Sequence, residues 1–127
     1  PDLFNPEPTS DKNFLWFKVD GTLDTQNQWV HHCFLAYASD VSLLGSGNRP
    51  HGVSAYSGDV MLASLDHAMW FHGKINFNDW HLYEMDSPFS GGARSLNRGK
   101  VFSQDGILVA SVAQEGLMRP LKRKPNT

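Results

Sequence analysis

Residues 28–44 read Gln28-Trp29-Val30-His31-His32-Cys33-Phe34-Leu35-Ala36-Tyr37-Ala38-Ser39-Asp40-Val41-Ser42-Leu43-Leu44, and this run decides the architecture. Trp29, Cys33, Tyr37 and Leu44 recur at helical spacing, with Val30, Phe34, Ala38 and Val41 beside them. The pattern predicts an amphipathic helix whose apolar stripe faces a core. A polar run from Thr22 to Gln28 offers several N-caps. Gly45-Ser46-Gly47-Asn48-Arg49-Pro50 is expected to stop the helix, with glycine for the cap and proline against resumption.

Outward from the helix, the chain reads as sheet. Residues 13–20 are rich in aromatic and β-branched side chains and end at Gly21, which predicts a strand before the helix. After it, strands are expected over 60–72, 80–86, 93–104 and 107–118, the last two joined by Asp105-Gly106, a two-residue hairpin signal. One long helix against antiparallel strands is an α+β plan in which a curved sheet wraps the helix.

The bulk properties narrow the function. A chain of 127 residues suits one domain with one core. Net charge is -2, which gives no basic face for nucleic acid. No apolar run approaches the roughly 18 residues of a membrane span, and the polar, proline-bearing opening is not a signal peptide. The single cysteine, Cys33, precludes an internal disulfide and points to a reducing, intracellular compartment. The opening Pro1-Asp2-Leu3-Phe4-Asn5-Pro6-Glu7-Pro8 reads as an extended linker from an upstream domain, and Lys122-Arg123-Lys124 as a basic tail.

Three polar residues interrupt apolar rows. The helix stripe steps through 29, 33, 37, 40 and 44, and position 40 is an aspartate. A carboxylate there must be hydrogen-bonded or serve chemistry, unless helix curvature leaves it exposed. In the strand over 60–72, Ser64 shares a face with Leu62, Ala68 and Trp70 if the strand is regular. In the last strand Gln114 continues the row of Leu108, Ala110 and Val112. Taken singly, Ser64 and Gln114 are better read as structural polar groups, and periodicity alone does not bring the three together.

Other chemistries lack their residues. His67 and His72 are an odd number apart and point to opposite strand faces, while His31 and His32 diverge on the helix, so no zinc ligand set forms. Cys33 lies on the apolar stripe and reads as a core thiol. No G-x-S-x-G elbow is present, and Gly45 and Gly47 lack the surroundings of a phosphate loop.

The motifs Tyr37-Ala38-Ser39-Asp40, Ser64-Leu65-Asp66-His67-Ala68-Met69-Trp70-Phe71-His72 and Val112-Ala113-Gln114-Glu115-Gly116-Leu117-Met118-Arg119 occur in this order. Together they resemble the second hotdog domain of the acyl-CoA thioesterase II family. Ser87-Pro88-Phe89-Ser90-Gly91-Gly92-Ala93-Arg94 and the run from Gln104 to Ala110 add to the resemblance. It implies a hotdog fold over 13–119, with a linker over 1–12 and a basic tail over 120–127. It also implies hydrolysis of fatty acyl-CoA by a water activated by Asp40, Ser64 and Gln114, with neither cofactor nor metal. Bacterial members usually carry threonine where this chain has Ser64, so the hydroxyl is kept and a methyl lost. The CoA phosphates would seek basic residues such as Arg94, Arg98 and Lys100, the alternative being a solvated basic face.

The partner implied is the N-terminal hotdog half of the same enzyme. Without it, the open sheet is expected to re-pair in a homo-oligomer. Some family members are peroxisomal, and that location is the expectation here. Two rivals remain: an acyl-thioester hydratase using Asp66 and His67, which neighbour each other on opposite strand faces, and a non-catalytic half that binds acyl-CoA or serves assembly.

Overall fold

The computed structural model describes residue 8, residues 10–43 and residues 60–121. The expected helix stop at 45–50, the basic tail at 122–124 and most of the 1–12 linker lie outside these residues. Among the described residues the elements are β1 (Asn13–Phe17), α1 (Gln28–Leu43), β2 (Val60–Ser64), β3 (Ala68–Phe71), β4 (His81–Gly91), β5 (Arg94–Ser103) and β6 (Leu108–Pro120). The strands form one antiparallel sheet in the order β1-β4-β5-β6-β2, and β3 pairs with β6 beyond the end of β2. This sheet curls around the helix, the hotdog arrangement expected from the sequence.

Helix α1 starts where Asn27 Oδ1 accepts from the Trp29 amide at 3.1 Å, an N-cap. Gln28 then clasps the backbone of Ile75, donating to its carbonyl at 2.9 Å and accepting from its amide at 2.8 Å. His31 accepts from Phe77 N through Nδ1 at 3.0 Å and so donates through Nε2 to Thr25 O at 2.8 Å. These polar bonds seat the first turns of the helix on the segment between β3 and β4.

The helix is rotated relative to the expected orientation. His31, Leu35, Ser39 and Leu43 face the sheet and are buried, whereas Trp29, Cys33, Tyr37 and Val41 face away, with Trp29 77% and Tyr37 79% exposed. Cys33 is therefore an exposed thiol and not a core one. Two sides of the helix are apolar enough to be buried, and sequence spacing cannot tell which one this chain's own sheet takes. The core beneath the inward side comprises Leu35, Leu43, Val19, Ile75, Phe77, Tyr83, Met85, Val101, Val109, Ala110 and Val112.

The strand expected over 60–72 is two strands. Ser64 pairs with Gly116 but Ala68 pairs with Ala113, so residues 65–67 stand opposite only two residues of β6. Leu65 N and Asp66 N both donate to Glu115 O, at 3.0 and 3.4 Å, which defines a β-bulge. The bulge reverses the alternation. Ser64 shares a face with Gln114, as a regular strand requires, while Ala68 and Trp70 turn to the opposite face. A second irregularity, at Val109, turns Leu108 away from the row of Ala110, Val112 and Gln114.

Three other expectations shift. β4 runs on from Asp86 to Gly91 because a bulge between Asp86 and Phe89 accommodates Pro88, which has no amide to give a ladder. Asp11, placed in the linker, accepts from Ser87 N at 2.9 Å, so it is docked on that strand. The β5–β6 connection is longer than two residues: Gly106, at φ +83°, donates to Ser103 O at 2.9 Å, and the Ser103 amide donates to Ile107 O at 2.8 Å. The β4–β5 connection is tighter, with Gly92 and Ala93 both near φ +60° between paired Gly91 and Arg94.

Candidate active site

Asp40 leaves the C-terminal part of α1 on the side that leans over β2 and β6. It is held there through its neighbour: the Tyr83 hydroxyl, from β4, donates to the Ser39 carbonyl at 2.8 Å. Tyr83 stacks on Phe17 at 5.4 Å and lies against Gly99, where a Cβ would run into its ring. Burial first, and then the Asp40 charge, push the Tyr83 phenol well above its ordinary value, so it stays a neutral donor.

Ser64 comes from the last residue of β2 and Gln114 from the middle of β6. Gln114 is fully buried, and its Nε2 donates to Asp40 Oδ1 at 2.8 Å and to Ser64 Oγ. Ser64 Oγ in turn donates to Asp40 Oδ1 at 3.3 Å. The three residues nominated from the sequence thus meet around one point. The apolar stripe that nominated Asp40 faces outward, and its carboxylate is half-exposed, at 54%.

His67 joins them, a residue that sequence reasoning weighed only as a metal ligand and as a partner for Asp66. Its Nδ1 is 2.6 Å from Gln114 Oε1 and 3.9 Å from Asp40 Oδ1, and its Nε2 is 2.9 Å from Ser39 Oγ. The bulge is what permits this. Ser64 and His67 are an odd number apart, yet the extra residue lets both lean onto the Gln114 side. Asp66 turns back to accept from Glu115 N at 2.7 Å, which anchors the bulge and separates this carboxylate from the His67 ring. The available signal was Asp66 itself, an aspartate inside an expected strand, where aspartate is disfavoured unless it binds backbone.

The cluster opens on a shallow depression of about 320 Å³ lined by Ala36, Tyr37, Asp40, Ser64, Leu65, Asp66 and His67. It has an ionisable carboxylate, oriented donors and an apolar rim, a composition suited to holding a water against an ester-like carbonyl. Among the described residues, no group of three or more His, Cys, Asp or Glu is placed to hold a metal ion.

Arg94, Arg98 and Lys100 do not join the site. They alternate with the buried Ser95, Asn97, Gly99 and Val101 of β5 and so project from the other face of the sheet. There Arg94 bonds Glu115 at 3.3 Å, and Arg98 holds Asp86 by two bonds of 3.0 and 2.8 Å. The side chains that the fold brings together are therefore Asp40, Ser64, Gln114 and His67.

A family model described as acyl-CoA thioesterase matches residues 3–117. Mouse acyl-coenzyme A thioesterase 8 is 39% identical over 119 residues, which cover 94% of this chain and 37% of the mouse protein. The yeast peroxisomal acyl-coenzyme A thioester hydrolase 1 is 37% identical over 82 residues, 64% of this chain and 23% of the yeast protein. Among solved structures, an acyl-CoA thioesterase II from Mycobacterium marinum is 42% identical, with a TM-score of 0.80 over 94% of this chain and 46% of that one. The chain thus spans less than half the length of each of these relatives. With the family's match running through the helix, the bulged strand pair and β6, this chain belongs to the acyl-CoA thioesterase family.

Proposed function

We propose that this chain is one half of an acyl-CoA thioester hydrolase in which Asp40, Ser64 and Gln114 hold and activate the attacking water. The observation that carries the reading is convergence. Side chains 24 to 74 positions apart in sequence bond to one another at the edge of the depression. The Gln114 amide and the Ser64 hydroxyl both donate to Asp40 Oδ1, which fixes the carboxylate's orientation and leaves its other lone pairs for a water.

The chemistry follows from that placement. As the water oxygen bonds to the thioester carbon, its proton passes to the Asp40 carboxylate. The tetrahedral intermediate then collapses with cleavage of the C–S bond. The CoA sulfur leaves as thiolate, and the proton held by Asp40 neutralises it. Because a thiol is a far better acid than an alcohol, departure needs little assistance, and positioning the water is the main task.

Asp40→Asn keeps the size of the side chain and removes the base. Hydrolysis in the intact enzyme, followed as free thiol released from a fatty acyl-CoA, should fall by ~10²–10⁴-fold. Acyl-CoA binding and the thermal melt should change little, since the interaction lost belongs chiefly to the transition state. Near-wild-type turnover in folded Asp40→Asn protein refutes this mechanism.

The hydratase alternative is disfavoured by the Asp66 carboxylate, which is occupied by Glu115 N and not by His67. Product analysis separates the two, since only hydrolysis yields free CoA. A non-catalytic half would instead bind acyl-CoA without releasing thiol. We assign the outward helix face of Trp29, Tyr37 and Val41 to contact with the second hotdog half, or with a second copy of this chain when that half is missing. A peroxisomal location is supported by the yeast relative, and organelle fractionation tests it.

A further inference from the structure

The orientation of the Gln114 amide is decided by its neighbours, and one of them has no part in the water-holding set. An ionised Asp40 accepts hydrogen bonds and donates none, so the atom of Gln114 that lies 2.8 Å from Oδ1 must be the amide nitrogen. The carbonyl end, Oε1, then points the other way, to within 2.6 Å of His67 Nδ1. A carbonyl oxygen accepts only, so Nδ1 must carry a proton and donate it. On its far side the ring is braced by Ser39, whose hydroxyl lies 2.9 Å from Nε2 and is itself fully buried. The ring is thus clamped between the helix and β6, with its proton aimed at Gln114.

We propose that His67 is a positioning residue of this site: its Nδ1–H fixes which end of the Gln114 amide faces Asp40 and Ser64. The role rests on the hydrolytic reading above, since it matters to turnover only if Gln114 orients the reacting water. Without the Nδ1 donor, the amide keeps only Asp40 to discriminate its two ends, and its oxygen loses its own partner. A rotated amide sets its oxygen against Asp40, an acceptor against a carboxylate. It also withdraws both donors from the group they orient. The direction of donation then runs from His67 to Gln114, from Gln114 to Asp40 and Ser64, and from Ser64 to Asp40. The bulge at 65–67 is the structural cause, because a regular strand would carry His67 to the other face.

Two variants and one spectrum test this in the intact enzyme. Asparagine can place an amide nitrogen where Nδ1 stands, so His67→Asn should retain most of the turnover. His67→Leu fills the space without a donor and should lose ~10²-fold in kcat with KM little altered, as expected for lost positioning. Equal losses in His67→Asn and His67→Leu, with equal melts, overturn the proposal. Nitrogen-15 spectra of the unmodified protein decide the matter even if a variant fails to fold. They should show the His67 proton on Nδ1, and a neutral ring protonated only on Nε2 would sink the idea. Failure of the hydrolytic reading looks different, because Asp40→Asn would then turn over normally whatever the His67 tautomer.

Discussion

At the Tyr83 hydroxyl, one hydrogen bond ties the sheet to the helix a single residue before Asp40. Because burial and the Asp40 charge raise the phenol's pKa in the folded chain, the neutral form is favoured there relative to the unfolded chain. The stabilisation is complete below the ordinary tyrosine value of 10.0 and is lost as the pH climbs above it. Tyr83→Phe should cost about 1 kcal/mol at neutral pH by removing the bond. It should also flatten the alkaline fall in stability, and melts of both proteins at a series of pH values check this. Asp40, Ser64 and Gln114 stand out in the sequence as polar side chains that break apolar rows, although the stripe broken by Asp40 faces outward and the row of Ser64 is split by the bulge. Ser39, His67 and Tyr83 do not, because a serine in a helix, a histidine in a strand and a tyrosine in a core break no pattern.

At the scale of elements, the helix was legible from its start, and the reason is local: its spacing lies within the run itself and its N-cap, Asn27, immediately before it. The strand at 60–72 was misread because a bulge is a relation between two strands. Only the pairing of Ser64 with Gly116 and of Ala68 with Ala113 reveals the extra residue. Asp66 supplies the anchor by accepting from Glu115 N at 2.7 Å. Asp66→Ala should cost about 1 kcal/mol of stability, yet lower hydrolysis by more than that loss of folded protein explains. Turnover measured beside a urea melt separates the two. Unchanged turnover per folded molecule would show that the bulge holds its shape without the carboxylate.

For the whole molecule, the stripe of Trp29, Cys33 and Tyr37 is expected from spacing to face the chain's own core and stands outward instead. Trp29, Tyr37 and Val41 stand outward at 77, 79 and 72% exposure, next to Phe34 at 44%. Burial of such a stripe typically drives association, so this chain alone should sediment as a dimer or larger at micromolar concentration. Exchanging Trp29 and Tyr37 together for serine should return it to monomer without changing the fold seen by circular dichroism. A wild-type monomer under the same conditions would contradict the assignment of this face. Cys33 lies between those two aromatic residues and is the chain's sole thiol. The molecule consequently carries its own chemical footprint. Alkylation of that sulfur by a maleimide proceeds while the stripe is bare and slows once something sits on it, so a labelling rate measures occupancy without any added probe.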